Sequence, residues 1–367
     1  MGIADLSQAV LWLAFLIAFI FGAIGQKTHF CTMGAVADIV NMGNWSRMRM
    51  WLLAIGVAIL GVAGLHASGL IDLNQSIYWT ANFTWLSYLV GGFCFGIGMV
   101  LASGCGAKTL MRIGAGSLKS LIVFLVTGLV AYMTLRGIFA QLRINVLGAA
   151  KIVISGGQDI PNLLSLAGVD TKLAFPLTVF ALGGTCTVAA LRKREDWTID
   201  LLLGGLGIGL TVVAAWYVSG HLAYLAEHPE TLEPAYLTTQ SGRMESLSFI
   251  APQAYTLELL MLWSDTSRHL TFGITTVLGV VCGSSMIALL TGNFRWEGFT
   301  SLEDTVSHLI GATLMGFGGV VAMGCTIGQG ISGVSTLALG SFLSVFSIIG
   351  GAVVTLKIQY WRILRSA

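Results

Sequence analysis

Nine long apolar runs, spread over the whole chain, decide what kind of protein this sequence folds into. A helix needs about 20 mostly apolar residues to cross the hydrocarbon core of a bilayer. Only 10% of the 367 residues are charged, against roughly a quarter in soluble domains, so the chain could not cover a water-facing surface. We therefore predict an all-α polytopic membrane protein with about nine transmembrane helices. The predicted spans are 6–25, 49–70, 84–104, 117–139, 173–191, 199–220, 270–291, 305–324 and 336–358.

Two kinds of segment separate these spans. The stretches 141–172 and 221–269 are polar, and we predict an extramembrane linker and a periplasmic loop there. Three other stretches are short, Gly-rich and weakly polar, which is typical of broken or re-entrant helices that line a polar cavity. They are 26–47, 105–116 and 325–335. The predicted organisation is a first half 1–140, the linker 141–172, a helix pair 173–220, the loop 221–269 and a second half 270–367.

The distribution of basic residues predicts the orientation. If nine spans alternate from the N-terminus, thirteen of the 19 Lys and Arg residues fall on the side opposite that terminus. Cytoplasmic loops carry the excess of Lys and Arg. We therefore expect an inner-membrane protein with a periplasmic N-terminus and a cytoplasmic C-terminus. The residues with the most weight are Arg192, Lys193, Arg194, Lys357, Arg362 and Arg365.

A ten-residue pattern occurs twice, once in each half. Residues 96–105 are GIGMVLASGC and residues 316–325 are GFGGVVAMGC, so both copies begin with Gly-x-Gly and end with Gly-Cys. On the span count, the two copies cross the membrane in opposite directions. Inverted repeats with interrupted helices are how many transporters build a site near the bilayer midplane. The pattern predicts a pseudo-two-fold inverted repeat with an hourglass-like constriction.

Glycines at both breaks permit the chain to turn, and a new short helix can begin there. The N–H groups at its start carry partial positive charge and attract an anion without a fixed cation. The glycines predicted to form the backbone of this path are Gly104, Gly106, Gly324 and Gly328.

The six cysteines divide by position. No CxxC pair or Cys/His cluster with zinc spacing occurs, so no metal site is predicted. Cys94, Cys186 and Cys282 lie in apolar spans, where a lone Cys is usually a small buried hydrophobe. Cys105 and Cys325 close the two repeat copies, so we predict a functional role for them. From the residues alone, Cys31 fits either description.

A thiol is a soft, weak hydrogen-bond donor, so it suits a terminal sulfur better than a hard oxyanion. Covalent chemistry needs the thiolate, which an apolar site disfavours, so we favour transient contacts. Possible further anion contacts are Lys108, Gln329 and His29, although Lys108 and His29 also fit ordinary surface positions. The sequence has no P-loop, dinucleotide fingerprint or metal motif, so we predict no cofactor and no enzymatic activity.

Three segments together resemble the YeeE/YedE family of membrane proteins. They are THFCTMGA at 28–35, GIGMVLASGCGAKTL at 96–110 and GFGGVVAMGCTIGQG at 316–330. The resemblance implies nine spans with short helices in two pseudo-symmetric halves, and uptake of thiosulfate. It also implies that three central cysteines pass the anion along by contacts to its sulfane sulfur. By motif these are Cys31, Cys105 and Cys325, and the resemblance suggests a small cytoplasmic TusA-like sulfur carrier as partner.

Other functions remain open at this point. The segment GMVLASGCGAKTLMR at 98–112 is similar to a branch of the family associated with selenium or general sulfur transport. The same cysteines would also serve a thiol-based membrane sulfurtransferase. A structural subunit of a larger membrane complex is a third possibility.

Overall fold

The computed structural model describes residues 2–192, 197–229 and 232–366, and almost every element in these ranges is a helix. The long helices are α1 Ile3–Lys27, α3 Ser46–Ala67, α4 Trp85–Leu101, α6 Leu118–Leu135, α9 Thr171–Leu191, α10 Ile199–Tyr217, α12 Phe272–Leu290, α13 Leu302–Val321 and α14 Leu339–Ser366. The short helices are α2 Thr32–Met42, α5 Gly106–Gly114, α7 Ile138–Leu142, α8 Ile160–Leu166 and α11 Ala251–Met261.

Single turns and two small hairpins complete the described elements. A 3₁₀ turn covers Leu73–Gln75, and π-helical turns cover Arg143–Leu147, Val218–Leu222 and Gly328–Gly333. Strand β1 (Asn82–Phe83) pairs antiparallel with β2 (Ile152–Val153), and β3 (Tyr224–Leu225) pairs antiparallel with β4 (Ala235–Tyr236).

The prediction of an all-α membrane protein is confirmed. Within the described ranges, eight helices are long and apolar enough to cross a membrane. The ninth predicted span, 305–324, forms α13 but is not among the eight. Its first half carries Glu303, Asp304 and His308, which lower its hydropathy. Large apolar side chains face outward, such as Trp12 and Phe180, each 70% exposed, as expected for a surface in contact with lipid.

The helices pack in matched pairs. Helix α1 packs on α12, α4 on α14 and α2 on α14. The counterparts are α10 on α3, α13 on α6 and α11 on α6. Each helix from α1 to α4 thus has an equivalent among α10 to α13, and α6 has one in α14, as a two-fold repeat requires.

Helices α4 and α13 form the seam between these two sets and run antiparallel. A Cβ atom on Gly91 would lie 2.5 Å from the backbone nitrogen of Ala322, and one on Gly98 would lie 2.6 Å from the Gly311 oxygen. Residue numbers at the contacts therefore increase along α4 while they decrease along α13, as in an antiparallel pair. Small residues allow such close backbone approach, which in lipid replaces the hydrophobic driving force. The two copies of the Gly-Cys pattern are consequently oriented oppositely.

The stretch 221–269 differs from the predicted loop. It contains the β3–β4 hairpin and then the helix α11, which packs against α6 and α12. Phe249, Ile250 and Gln253 are completely buried. The sequence favours a short interfacial helix over 247–263 within this stretch, and α11 lies inside that range but packs into the core.

Candidate functional site

Helices α1, α4 and α13 are followed by the same backbone form, which places a left-handed residue two positions before a cysteine. One residue takes a left-handed conformation in which glycine is usual. That residue is His29 (φ 52°) after α1, Ser103 (φ 55°) after α4 and Met323 (φ 58°) after α13. The next N–H then bonds to a carbonyl five residues earlier, which satisfies an orphan group at the helix end. These bonds are Phe30 to Gly25 (3.1 Å), Gly104 to Met99 (2.9 Å) and Gly324 to Gly319 (2.8 Å).

Each of the three cysteines then starts a new helical segment. Cys31 and Cys105 are the N-cap residues of α2 and α5. The N–H of Gly34 donates to the Cys31 sulfur and that of Gly328 to the Cys325 sulfur, both at 3.4 Å. For Cys105, the N–H three residues on faces the sulfur without a hydrogen bond of full geometry. The N–H groups of Gly34 and Gly328 therefore already donate to cysteine sulfurs. The sequence instead predicts that N–H groups at the helix starts bind an anion.

The structure brings the predicted cysteines together. The Cys105 thiol lies near both the Cys31 thiol and the Thr326 hydroxyl. Cys105 is 2% exposed and Cys325 is 0% exposed, whereas Cys31 is partly exposed. Cys105 therefore lies between Cys31 and the turn that carries Cys325. The Cys325 sulfur rests against the backbone of Phe249.

The other three cysteines are placed differently. Cys282 is exposed on α12 and Cys94 is partly exposed on α4. Cys186 lines an apolar cleft together with Trp45 and Val353. In the described ranges, no three His, Cys, Asp or Glu side chains are grouped as a metal site would need.

The four predicted glycines are all buried, and two of them permit close approach. A Cβ atom on Gly106 would lie 2.8 Å from Cδ1 of Ile250, and one on Gly328 would lie 2.5 Å from Oγ of Ser248. One on Gly324 would lie 3.0 Å from Cγ of Gln329, but Gly104 would meet its nearest neighbour only at 3.5 Å. Both breaks thus rest on the segment before α11.

A basic cavity of about 490 Å³ is lined by His29 and Ser103, which stand two residues before Cys31 and Cys105. Its lining includes His29, Ser103, Lys108, Arg112, Lys119, Arg295 and His308, with Glu297 and Asp304. Lys119 pairs with Asp304 at 3.2 Å, and His308 contacts the same carboxylate at 3.0 Å. Lys108 and Arg112 lie near enough to Cys31 to act on it electrostatically. Two of the predicted anion contacts, Lys108 and His29, are therefore in this cavity.

The third predicted contact, Gln329, lies in the other break and is 1% exposed. Its Nε2 donates to the carbonyl of Ala322 at 2.5 Å, and its Oε1 has no partner among the described residues. The Tyr78 hydroxyl donates to the Gly328 carbonyl at 2.6 Å and lies near Cys325.

The sequence prediction missed several residues of this centre. Gln253 donates from Nε2 to the Gly106 carbonyl at 3.4 Å, and its Oε1 has no described partner. Thr32 and Thr326, which directly follow Cys31 and Cys325, are buried with unpaired hydroxyls. The repeated Cys-Thr pair was a signal for the two threonines. Nothing in the sequence pointed to Tyr78.

Comparisons with known proteins identify sulphur-transport proteins as relatives of this chain. A family model described as sulphur transport matches residues 27–354. The thiosulfate transporter TsuA of Escherichia coli strain K12 is 27% identical over 341 residues, which are 90% of this chain and 90% of that protein. The thiosulfate transporter TsuA of Spirochaeta thermophila is 25% identical over 355 residues, which are 93% of this chain and 97% of that protein.

Proposed function

The chain belongs to the sulphur transport family, and on that basis we propose that it carries thiosulfate, or a related small sulfur anion, across the inner membrane into the cytoplasm. The observation that supports this most is the position of Cys105, which lies near both Cys31 and Thr326, the neighbour of Cys325. This position supports a proposed path in which Cys31, Cys105 and Cys325 act in series.

The proposed path uses contacts that are individually weak. A thiol donates poorly and is soft, so it can meet the terminal sulfur of the anion without holding it. In the proposed direction the anion passes from Cys325 to Cys105 and then to Cys31. No bond forms or breaks, and the thiols remain protonated throughout. The buried glycine backbone of Gly106 and Gly328 keeps the path narrow.

The basic cavity is the proposed cytoplasmic end of the path. Lys108 and Arg112 stand one helical turn apart on α5 and face the Cys31 side. Positive charge attracts an anion that leaves the neutral thiols, and cytoplasmic loops carry the excess of Lys and Arg. A TusA-like carrier that removes the anion on this side would draw uptake inward by mass action. That partner is proposed from the family resemblance.

Uptake of labelled thiosulfate tests the proposal. We expect cells that lack other importers to accumulate it when they produce this protein, and to lose at least about tenfold in rate with Cys105→Ala or Cys325→Ala. Cys282→Ala is the matched control, because Cys282 is exposed on the outer face of α12. Full uptake by both central variants would contradict the thiol path. Competition by sulfate, sulfite and selenite separates thiosulfate transport from selenium or general sulfur transport.

A membrane sulfurtransferase is the alternative from a different class. It predicts a persulfide on Cys105 after turnover, because sulfur transfer requires a covalent intermediate on a thiolate. Mass spectrometry of the purified protein after exposure to thiosulfate distinguishes the two. An unmodified Cys105 during sustained uptake favours transport.

A further inference from the structure

Thr326 lies at the centre of the molecule with its hydrogen-bonding capacity unused. Its side chain is 2% exposed, and Oγ1 has no hydrogen-bond partner among the described residues. The hydroxyl stands beside the Cys105 sulfur without making a bond of full geometry. A buried, unpaired hydroxyl costs stability, and such groups in native proteins call for a functional explanation.

Several neighbouring donors are already engaged, although the Thr32 hydroxyl beside Cys31 also has no described partner. The N–H groups of Gly34 and Gly328 donate to cysteine sulfurs. The Thr109 hydroxyl, one turn along α5, donates to the Cys105 carbonyl at 3.1 Å. The Tyr78 hydroxyl donates to the Gly328 carbonyl. Thr326 differs from these groups because its O–H remains available where Cys105 approaches the Cys325 turn.

The substrate has two chemically different ends. Thiosulfate carries one soft terminal sulfur and three hard oxygens, and thiols suit only the sulfur. We propose that the Thr326 hydroxyl donates to an oxygen of the anion while Cys105 contacts its terminal sulfur. The pair forms a two-point subsite for anions that have both kinds of atom. Thr326 is then a specificity-determining residue, and this inference rests on the proposed transport function.

A shape-preserving substitution removes the hydroxyl. We expect Thr326→Val to raise the half-saturating thiosulfate concentration at least about tenfold, the usual consequence of losing a hydrogen bond to a charged group. Thr326→Ser keeps the O–H and should stay within about threefold of the unaltered protein. Thr109→Val is the matched control. It also removes a buried hydroxyl near Cys105, but that hydroxyl already donates to a backbone carbonyl.

An oxygen-free competitor separates recognition from damage to the fold. Hydrosulfide presents soft sulfur and no oxygen, so its inhibition of uptake should be the same in Thr326→Val as in the unaltered protein. Equal loss of affinity for both anions would overturn the inference, and so would an unchanged half-saturating concentration in Thr326→Val. Absence of thiosulfate uptake by the unaltered protein would instead overturn the proposed function, and this inference with it.

Discussion

At the scale of single residues, the unusual feature is cysteine at the start of three helical segments. Ser, Thr, Asp and Asn are the common N-cap residues because their oxygens accept from the first free N–H groups. Here sulfur takes that role at Cys31 and Cys325. The capping contact holds each thiol in place at the break and leaves its S–H free to point elsewhere. Structural capping and the proposed anion contact are thus compatible in one side chain.

Glu245 gives a prediction at the same scale. It lies before α11, and burial raises its pKa from 4.5 to about 7. The Ser241 hydroxyl donates to its Oε2 at 3.3 Å, and Tyr78 and Tyr255 lie nearby. Because the folded state holds this proton more tightly than the unfolded chain, Glu245 lowers stability when it ionises. The loss of unfolding free energy from Glu245 therefore grows as the pH rises from about 4.5 to about 7 and is constant above that range.

We expect the unaltered protein to lose about 1–3 kcal/mol of unfolding free energy from this group between pH 5 and pH 8. Glu245→Gln should remove that part of the pH dependence, as measured by denaturation in detergent. The exposed Glu227 lies in the same stretch and is the matched control. Glu227→Gln should leave the pH dependence of stability unchanged. Identical pH profiles for Glu245→Gln and the unaltered protein would refute the prediction.

At the scale of elements, the seam between α4 and α13 positions the two breaks. Both helices approach through glycines, and each ends at a left-handed residue followed by a Gly-Cys pair. If the helices moved apart, Cys105 would lose contact with the turn that carries Cys325. Helix packing, more than the local sequence at each break, therefore sets the geometry of the centre.

Gly98→Ala tests the seam. A Cβ atom there would lie 2.6 Å from the Gly311 oxygen and 2.7 Å from the Met315 nitrogen, so backbone must shift. We expect a loss of about 1–3 kcal/mol of stability, as for other overpacked sites. Gly64→Ala in α3 meets nothing within 4 Å and should be neutral, or stabilising by up to about 1 kcal/mol through helix propensity. Thermal unfolding in detergent compares the stability of Gly98→Ala and Gly64→Ala. Equal effects of the two substitutions would contradict close backbone packing between α4 and α13.

At the scale of the whole molecule, one end of the protein is basic. The basic cavity gathers Lys108, Arg112, Lys119 and Arg295 at one end. The other end carries the β3–β4 hairpin and the linker, whose Asp159 bridges to Ala338 at the start of α14. From the positive-inside rule we propose that the basic end faces the cytoplasm.

Labelling of introduced thiols tests that orientation. Gly298 lies in the exposed loop before α13, at the basic end, and Glu227 lies in the exposed stretch at the opposite end. A membrane-impermeant maleimide applied to intact spheroplasts should label Glu227→Cys and spare Gly298→Cys. Disrupted membranes should allow both to react, and the unaltered protein gives the background. Labelling of Gly298→Cys but not Glu227→Cys in intact spheroplasts would contradict the proposed topology and the proposed direction of transport.

Much of the architecture followed from the sequence. All nine predicted apolar runs are helices, because crossing hydrocarbon requires a long apolar segment with internally paired backbone. The recurrence of Gly-x-Gly and Gly-Cys located two of the three breaks and singled out Cys105 and Cys325. Cys31 could not be assigned from its own surroundings, and only the family resemblance selected it.

What the sequence alone determined is therefore the membrane environment, the spans and the residues at the breaks, since these depend on local composition and short-range pattern. Only the tertiary structure decided that Cys31 meets Cys105, that Thr326 stands beside them and that Gln253 and Phe249 enter the centre. These contacts join residues far apart in the chain. They are set by how helices pack across the seam, which no local pattern in one sequence encodes.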